Sequence, residues 1–124
     1  GTPASASDDR AGGGWEGLWG RARLEDLFLK ACARHCQKPG LWQTSGHELL
    51  GRRLRRHFRA SPRHFFGLVY AWMPSTNVFR VIFDDGEVCD YSDAGGKGWT
   101  LDSLRKHIDS LDRHIQLKDA LNAS

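Results

Sequence analysis

Three short runs of residues between positions 65 and 91 constrain the fold more than any other feature of the sequence. Residues 65–72 and 77–83 are rich in aromatic and β-branched side chains, and residues 87–91 continue this composition. A turn-forming segment, 74–76, separates the first two runs, and the frequent hairpin turn Asp85-Gly86 follows the second. The pattern predicts antiparallel strands joined by tight turns.

A fourth strand is expected, because three strands leave edges that need a partner. Residues 50–58 are ambiguous, since apolar residues recur in them at helical spacing while Leu54, Arg56 and Phe58 alternate as in a strand. The strands that follow favour the second interpretation. We therefore expect a mainly β fold with flanking helices, in which residues 47–99 form a small β-barrel.

The segment before the barrel is expected to contain a tail and a helix. Residues 1–14 are small, polar and glycine-rich, which predicts a disordered tail. Residues 15–46 form an N-terminal helix and linker, with the helix predicted over residues 18–36 by the i, i+3, i+4, i+7 spacing of Leu24, Leu27, Phe28 and Ala31.

A long helix is predicted to close the chain over residues 100–124. Thr100 is a suitable N-cap residue, because its hydroxyl can accept a hydrogen bond from a free backbone N–H of the first turn. The apolar face of this helix is marked by Leu101, Leu104, Ile108, Leu111 and Ile115.

Length and composition limit the classes of protein that remain. With 124 residues and a mass of 14.0 kDa, the chain has the size of one globular domain. The sequence has no apolar run long enough for a membrane span or a secretory signal, and its three cysteines, an odd number, argue against a disulfide framework. We expect a soluble, intracellular protein.

The sequence lacks the motifs typical of enzyme active sites, namely a glycine-rich phosphate loop, a nucleophile elbow and paired catalytic carboxylates. Cys32, His35 and Cys36 share one side of the predicted first helix, but structural zinc takes four ligands and no fourth ligand is evident. We therefore expect a non-catalytic protein with neither a cofactor nor a metal.

About a third of the chain resembles a known family. A basic segment ending in Phe58 is followed by FFGLV at residues 65–69 and by VIFDDG at residues 81–86. This pattern is similar to that of Tudor domains, in particular those of DNA-damage mediator proteins that read dimethyl-lysine on histones. The resemblance implies an SH3-like barrel, a nuclear location and a methylated histone tail or other methylated protein as partner.

In the family, aromatic rings at the mouth of the barrel enclose a methylated ammonium group. The resemblance carries this cage onto Phe58, Phe65 and Phe83, and it makes Asp85 the acidic group that favours mono- and dimethyl-lysine. The family also has an aromatic residue two positions after the turn aspartate, where this chain has Glu87, so one wall of the cage is missing. Three further aromatic residues are candidates for this wall, namely Tyr91, Tyr70 and Trp72. The alternative is that the three phenylalanines are ordinary barrel core, as strand aromatics usually are.

A second function is suggested by a basic run at residues 52–64, which has no acidic residue. Side chains of this run can contact the phosphates of DNA or RNA, and the candidates are Arg52, Arg53, Arg55, Arg56, Arg59 and Arg63. The alternative is that these arginines form a solvated strand face whose positive charge is balanced by the acidic turn at residues 84–87. A plain protein-interaction domain is the third possibility.

Overall fold

The computed structural model describes residues 20–123, so the predicted tail lies outside the described residues. These described residues form two helices and four strands, with a short 3₁₀ turn at Pro39–Leu41. In chain order the elements are α1 (Arg21–Arg34), β1 (Arg53–His57), β2 (His64–Met73), β3 (Val78–Phe83), β4 (Val88–Tyr91) and α2 (Leu101–Ala123).

The four strands form one antiparallel sheet in the order β1-β2-β3-β4. Its register places Leu54 of β1 opposite Gly67 of β2, and Gly67 opposite Phe83 of β3. The expected antiparallel strands are confirmed, but within residues 20–123 β1 and β4 do not pair with each other. The sheet is therefore open, and α2 packs against the edge strand β1 where a closed barrel would need another strand.

The two helices cover opposite faces of the sheet, because successive strand residues point to opposite sides. On one face, Phe28 and Cys32 of α1 join a core that includes Ile82 of β3. On the other face, Leu104 and Ile108 of α2 join a core with strand residues that include Leu54, Val69, Val81 and Phe83. Each helix thus buries the stripe that its apolar periodicity predicts.

The predicted turns are present, and helix α1 is shorter than predicted. The hairpin between β3 and β4 is closed by the Phe83 N–H, which donates to the Glu87 carbonyl at 2.8 Å, and Gly86 adopts φ +91°. Thr100 Oγ1 accepts the Ser103 N–H at 3.2 Å and caps α2. Helix α1 ends at Arg34 rather than at residue 36, because Cys36 leaves the helical region with φ +55°.

Neither helix within residues 20–123 combines the length and the apolarity needed to cross a membrane.

Candidate cation-binding site

Five aromatic rings meet where β1 ends, β2 begins and β4 runs into the loop before α2. This aromatic cluster consists of Phe58, Phe65, Phe83, Tyr91 and Trp99. Phe58 lies at its centre, with its ring centroid 5.3 Å from that of Phe65, 5.9 Å from Phe83 and 6.2 Å from Trp99. Tyr91 and Trp99 are 5.2 Å apart. The three phenylalanines that the resemblance selects are therefore in contact.

The rings of the cluster differ in their access to solvent. Phe83 and Tyr91 are buried, with 1% and 0% of their surface exposed, whereas Phe58, Phe65 and Trp99 are half-buried. Phe83 and Tyr91 thus form the floor of the cluster, and the other three rings form its rim. A cage at the mouth of the barrel requires all three phenylalanine rings to face solvent. For Phe83 this expectation is wrong, because its ring packs in the core that α2 covers.

The chain's own Arg56 already occupies the cluster. Its guanidinium carbon lies 4.0 Å from the ring centroid of Trp99 and 4.6 Å from that of Phe58, and it is 5.9 Å from the centroid of Tyr91. Nη1 of Arg56 also donates hydrogen bonds to Tyr91 Oη and to the Gly98 carbonyl, both at 2.8 Å. The rings therefore surround a positive charge and interact with it through their π faces.

Tyr91 contributes a neutral acceptor rather than a charge. Burial raises the pKa of the Tyr91 phenol to about 12, and the hydrogen bond from Arg56 only partly opposes this. The phenol therefore stays protonated at neutral pH. Its oxygen fixes the guanidinium of Arg56 without cancelling the positive charge.

A second arginine covers the rim ring of Phe65. The guanidinium carbon of Arg63 lies 4.0 Å from the centroid of that ring, and the same group donates to both carboxylate oxygens of Asp84, at 3.2 and 3.0 Å. Asp84 is therefore linked to the cluster through Arg63. Asp85, the acidic residue that the resemblance selects, is exposed, and its Oδ1 accepts the Glu87 N–H at 3.0 Å within the turn.

The other candidate walls take different positions. Tyr70 packs against Phe28 of α1, with centroids 5.3 Å apart, on the opposite face of the sheet. Trp72 stacks on Phe79 at 6.1 Å. Instead Trp99, which no sequence pattern selects for the site, lies beside Phe58 and Tyr91 in the cluster.

The six candidate arginines do not share one surface. Arg53 and Arg55 alternate with Arg56 along β1 and so point to the opposite face of the sheet. Arg52 forms an exposed ion pair with Asp112 of α2, with an N–O distance of 2.9 Å. Arg59 is exposed in the turn after β1, and Arg63 lies over Phe65.

A separate concavity lies away from the aromatic cluster. A groove of about 770 Å³ runs between α1 and the start of the sheet, with Phe28, Trp42 and Tyr70 in its lining. It shares no lining residue with the cluster. Beside the groove, Arg80 lies 4.2 Å from the ring centroid of Trp42, but Asp90 pairs with its charge. We base the candidate site on the cluster, because the guanidinium of Arg56 is held there by ring faces and by the neutral oxygens of Tyr91 and Gly98.

Comparison with known proteins identifies no relative: the sequence matches no protein-family model and no curated protein, and the structure matches no solved structure.

Proposed function

We propose that the aromatic cluster binds a methylated lysine side chain of a partner protein. The observation that carries this proposal is the position of Arg56, whose guanidinium lies 4.0 and 4.6 Å from two ring centroids of the rim. A methylated ammonium cannot form a full set of hydrogen bonds and is stabilised by π faces, each contributing about 0.5 to 2 kcal/mol. The ligand takes the place of Arg56 between Trp99 and Phe58.

We propose in addition that the sheet and its flanking segments form a Tudor-like unit. A Tudor-like unit brings its first and last strands close together at the mouth, and here Arg56 of β1 and Tyr91 of β4 are joined by a 2.8 Å hydrogen bond. Because β1 and β4 do not pair within residues 20–123, the loop at residues 92–100 and helix α2 close the unit in place of strand pairing. Residues 47–99 thus form the reader, which is non-catalytic and acts on chromatin in the nucleus.

Acidic groups at the turn between β3 and β4 favour mono- and dimethyl-lysine over trimethyl-lysine, because only the first two retain an N–H that a carboxylate can accept. Asp85 is exposed, and its carboxylate accepts a hydrogen bond from the uncharged N–H of Glu87. Asp84 is engaged by Arg63. Asp85 is therefore the carboxylate that we assign to the ligand.

A pair of substitutions at Trp99 tests the proposal. NMR titration should show that a dimethyl-lysine histone peptide binds the full chain and that the unmodified peptide does not. Trp99→Leu removes the π face and keeps an apolar side chain, so the affinity should fall about five-fold, as expected for the loss of about 1 kcal/mol. Trp99→Phe should retain most of the affinity.

The comparison separates a cation site from a simple apolar contact. Equal affinities of Trp99→Leu and Trp99→Phe would contradict π recognition of the ammonium group. Equal binding of methylated and unmodified peptides would contradict the reader itself.

A further inference from the structure

The face of β1 that points away from Arg56 carries a separate group of basic side chains. Arg55 and His57 lie on this face, and His64 of β2 pairs with His57 across the strands. Nη2 of Arg55 is 3.1 Å from Nε2 of His64, and the ring centroids of His57 and His64 are 5.0 Å apart. Helix α2 adds His114. We call Arg55, His57, His64 and His114 the basic edge cluster.

Partial desolvation and the positive charges within this cluster lower the pKa values of its histidines His64 and His114. The pKa of His64 is lowered by partial desolvation and then by the positive charges of Arg55, His57 and His114. The pKa of His114 is likewise lowered by desolvation and by the charges of Arg55 and Lys118. Like charges drawn from three elements repel each other, and a bound anion relieves that repulsion.

Two ion pairs in neighbouring segments use residues outside the basic edge cluster. Asp112 of α2 is engaged by Arg52, with an N–O distance of 2.9 Å. Asp84 is engaged by Arg63 at 3.0 Å. The acidic residue of each pair is thus engaged by an arginine outside the basic edge cluster, whereas Arg55 itself faces the imidazole ring of His64.

The three histidines do not form a metal site. Within residues 20–123, no three His, Cys, Asp or Glu side chains are arranged to hold a metal ion. The guanidinium of Arg55 also lies within hydrogen-bond distance of His64 and would repel a divalent cation. The chemistry of the cluster therefore fits an anion.

The arrangement suits a chain of phosphates better than a single phosphate. Residues 53, 55 and 57 follow one another on the same face of an extended strand, about 6.7 Å apart. This spacing is comparable to that of successive phosphates along an extended nucleic-acid strand. His64 and His114 flank the row on either side, from β2 and α2.

We propose that the basic edge cluster binds the phosphodiester backbone of a nucleic acid, and that it binds more tightly at pH 6 than at pH 8. Among residues 20–123, the titratable and charged groups on this surface are Arg53, Arg55 and His57 from β1, His64 from β2, and His114 and Lys118 from α2. Arg63 lies beside them, and its Nη1 donates to the His64 carbonyl at 3.4 Å. Protonation of His64 and His114 adds positive charge and N–H donors, so a bound phosphate favours their protonated forms. The site is separate from the aromatic cluster and does not depend on the proposed reading of methyl-lysine.

Fluorescence anisotropy of a labelled single-stranded oligonucleotide with the full chain tests the proposal. The affinity should be at least five-fold higher at pH 6 than at pH 8. At pH 6 the logarithm of the affinity should fall with the logarithm of salt concentration with a slope of about −2, as expected for three phosphate contacts. Arg55→Ala should reduce the affinity about five-fold or more and make the slope shallower by about 0.7.

A matched control separates the cluster from general positive charge. Arg34 is exposed at the end of α1, which contacts β3 and β4, so Arg34→Ala removes the same charge elsewhere. In the same way, His64→Gln should weaken the pH dependence, and His35→Gln at an exposed site on the α1 side should leave it unchanged.

Three outcomes would overturn the proposal. Equal affinities at pH 6 and pH 8 would exclude the histidines. An Arg34→Ala effect as large as that of Arg55→Ala would mean binding by net charge alone. A phosphoserine peptide that competes as well as the oligonucleotide at equal phosphate concentration would show a compact phosphate site instead of a backbone site.

Discussion

Arg80 and Arg56 show how one residue type can serve two different purposes in the same sheet. Arg80 is fully buried, and it donates to both carboxylate oxygens of Asp90 at 2.8 Å and to Gln37 Oε1. It also donates to Cys32 Sγ at 3.3 Å, while its guanidinium carbon lies 4.2 Å from the ring centroid of Trp42. Arg80 thus has a charged partner, whereas the partners of Arg56 among residues 20–123 are neutral acceptors and rings.

Arg80 is therefore expected to be a structural residue that fastens α1 and the following loop to the sheet. Arg80→Met should lower the free energy of unfolding by about 3 kcal/mol, because it leaves Asp90 and Gln37 without their donor. Urea denaturation measures the change. Arg34→Met at an exposed position should change the stability by no more than about 0.5 kcal/mol, and a similar value for Arg80→Met would contradict the role.

His107 of α2 links stability to pH. Burial, followed by the charges of Arg56 and Lys106, lowers the pKa of His107 from 6.5 to about 4. Within residues 20–123 its buried Nε2 meets no hydrogen-bond partner. The folded state therefore favours the neutral imidazole, while the unfolded chain takes up a proton below about pH 6.5.

The free energy of unfolding should be level above pH 6.5 and fall as the pH drops towards 4, because the unfolded state then binds more protons. His107 is partly solvated, so we expect about 2 kcal/mol from this residue rather than the full shift. Urea denaturation between pH 4 and pH 7.5 should show a shallower fall for His107→Gln. A profile identical to that of the wild-type chain would contradict this assignment, and His35→Gln serves as the exposed control.

At the scale of elements, the loop at residues 92–100 positions Trp99 in the aromatic cluster. Its backbone folds back on itself, with the Ser92 N–H donating to the Trp99 carbonyl at 3.1 Å and the Trp99 N–H donating to the Gly96 carbonyl at 2.8 Å. Gly95 lies inside this loop, where a Cβ atom would be 2.1 Å from the Trp99 carbonyl oxygen. The loop can therefore close only around a glycine at position 95.

Two neighbouring glycines provide a test of this loop. Gly95→Ala should force the loop open, lower the free energy of unfolding by about 2 kcal/mol and shift the indole N–H resonance of Trp99. A Cβ atom at Gly96 meets nothing within 4 Å, so Gly96→Ala should leave both quantities nearly unchanged. Equal behaviour of the two variants would mean that the loop does not hold Trp99.

The contacts of the phenylalanines could be predicted from the sequence, but the contacts of Trp99 could not. Hairpin signals and alternation predict β1, β2 and β3, and once their register is set Phe58, Phe65 and Phe83 must meet. The position of Trp99 depends on backbone hydrogen bonds within a loop, which leave no periodic pattern in the sequence. Closure at the edge of the sheet likewise depends on how α2 packs against β1. The apolar stripe of α2 predicts that this face of the helix is buried, but it does not indicate which strand the helix covers.

At the scale of the whole molecule, strand β1 contributes side chains to two surfaces, the aromatic cluster and the basic edge cluster. Alternation along β1 sends Arg56 towards the aromatic cluster and Arg55 towards the basic edge cluster. The sequence predicts the basic run as a single feature, because charge alone does not reveal which face each residue takes. The fold divides this run into a cation that closes an aromatic site and cations that remain on the opposite face.

The central claim is that a methylated lysine takes the place of Arg56, and Arg56→Gln tests it most directly. Glutamine keeps a hydrogen-bond donor for Tyr91 and Gly98 but removes the charge that competes with the ligand. NMR titration with a dimethyl-lysine histone peptide should show about five-fold tighter binding to Arg56→Gln than to the wild-type chain, with the Trp99 indole signal shifting in both. Arg55→Gln, which makes the same change on the opposite face, should leave the affinity unchanged. Weaker or unchanged binding by Arg56→Gln would contradict displacement, and no binding by either chain would contradict the proposed reader.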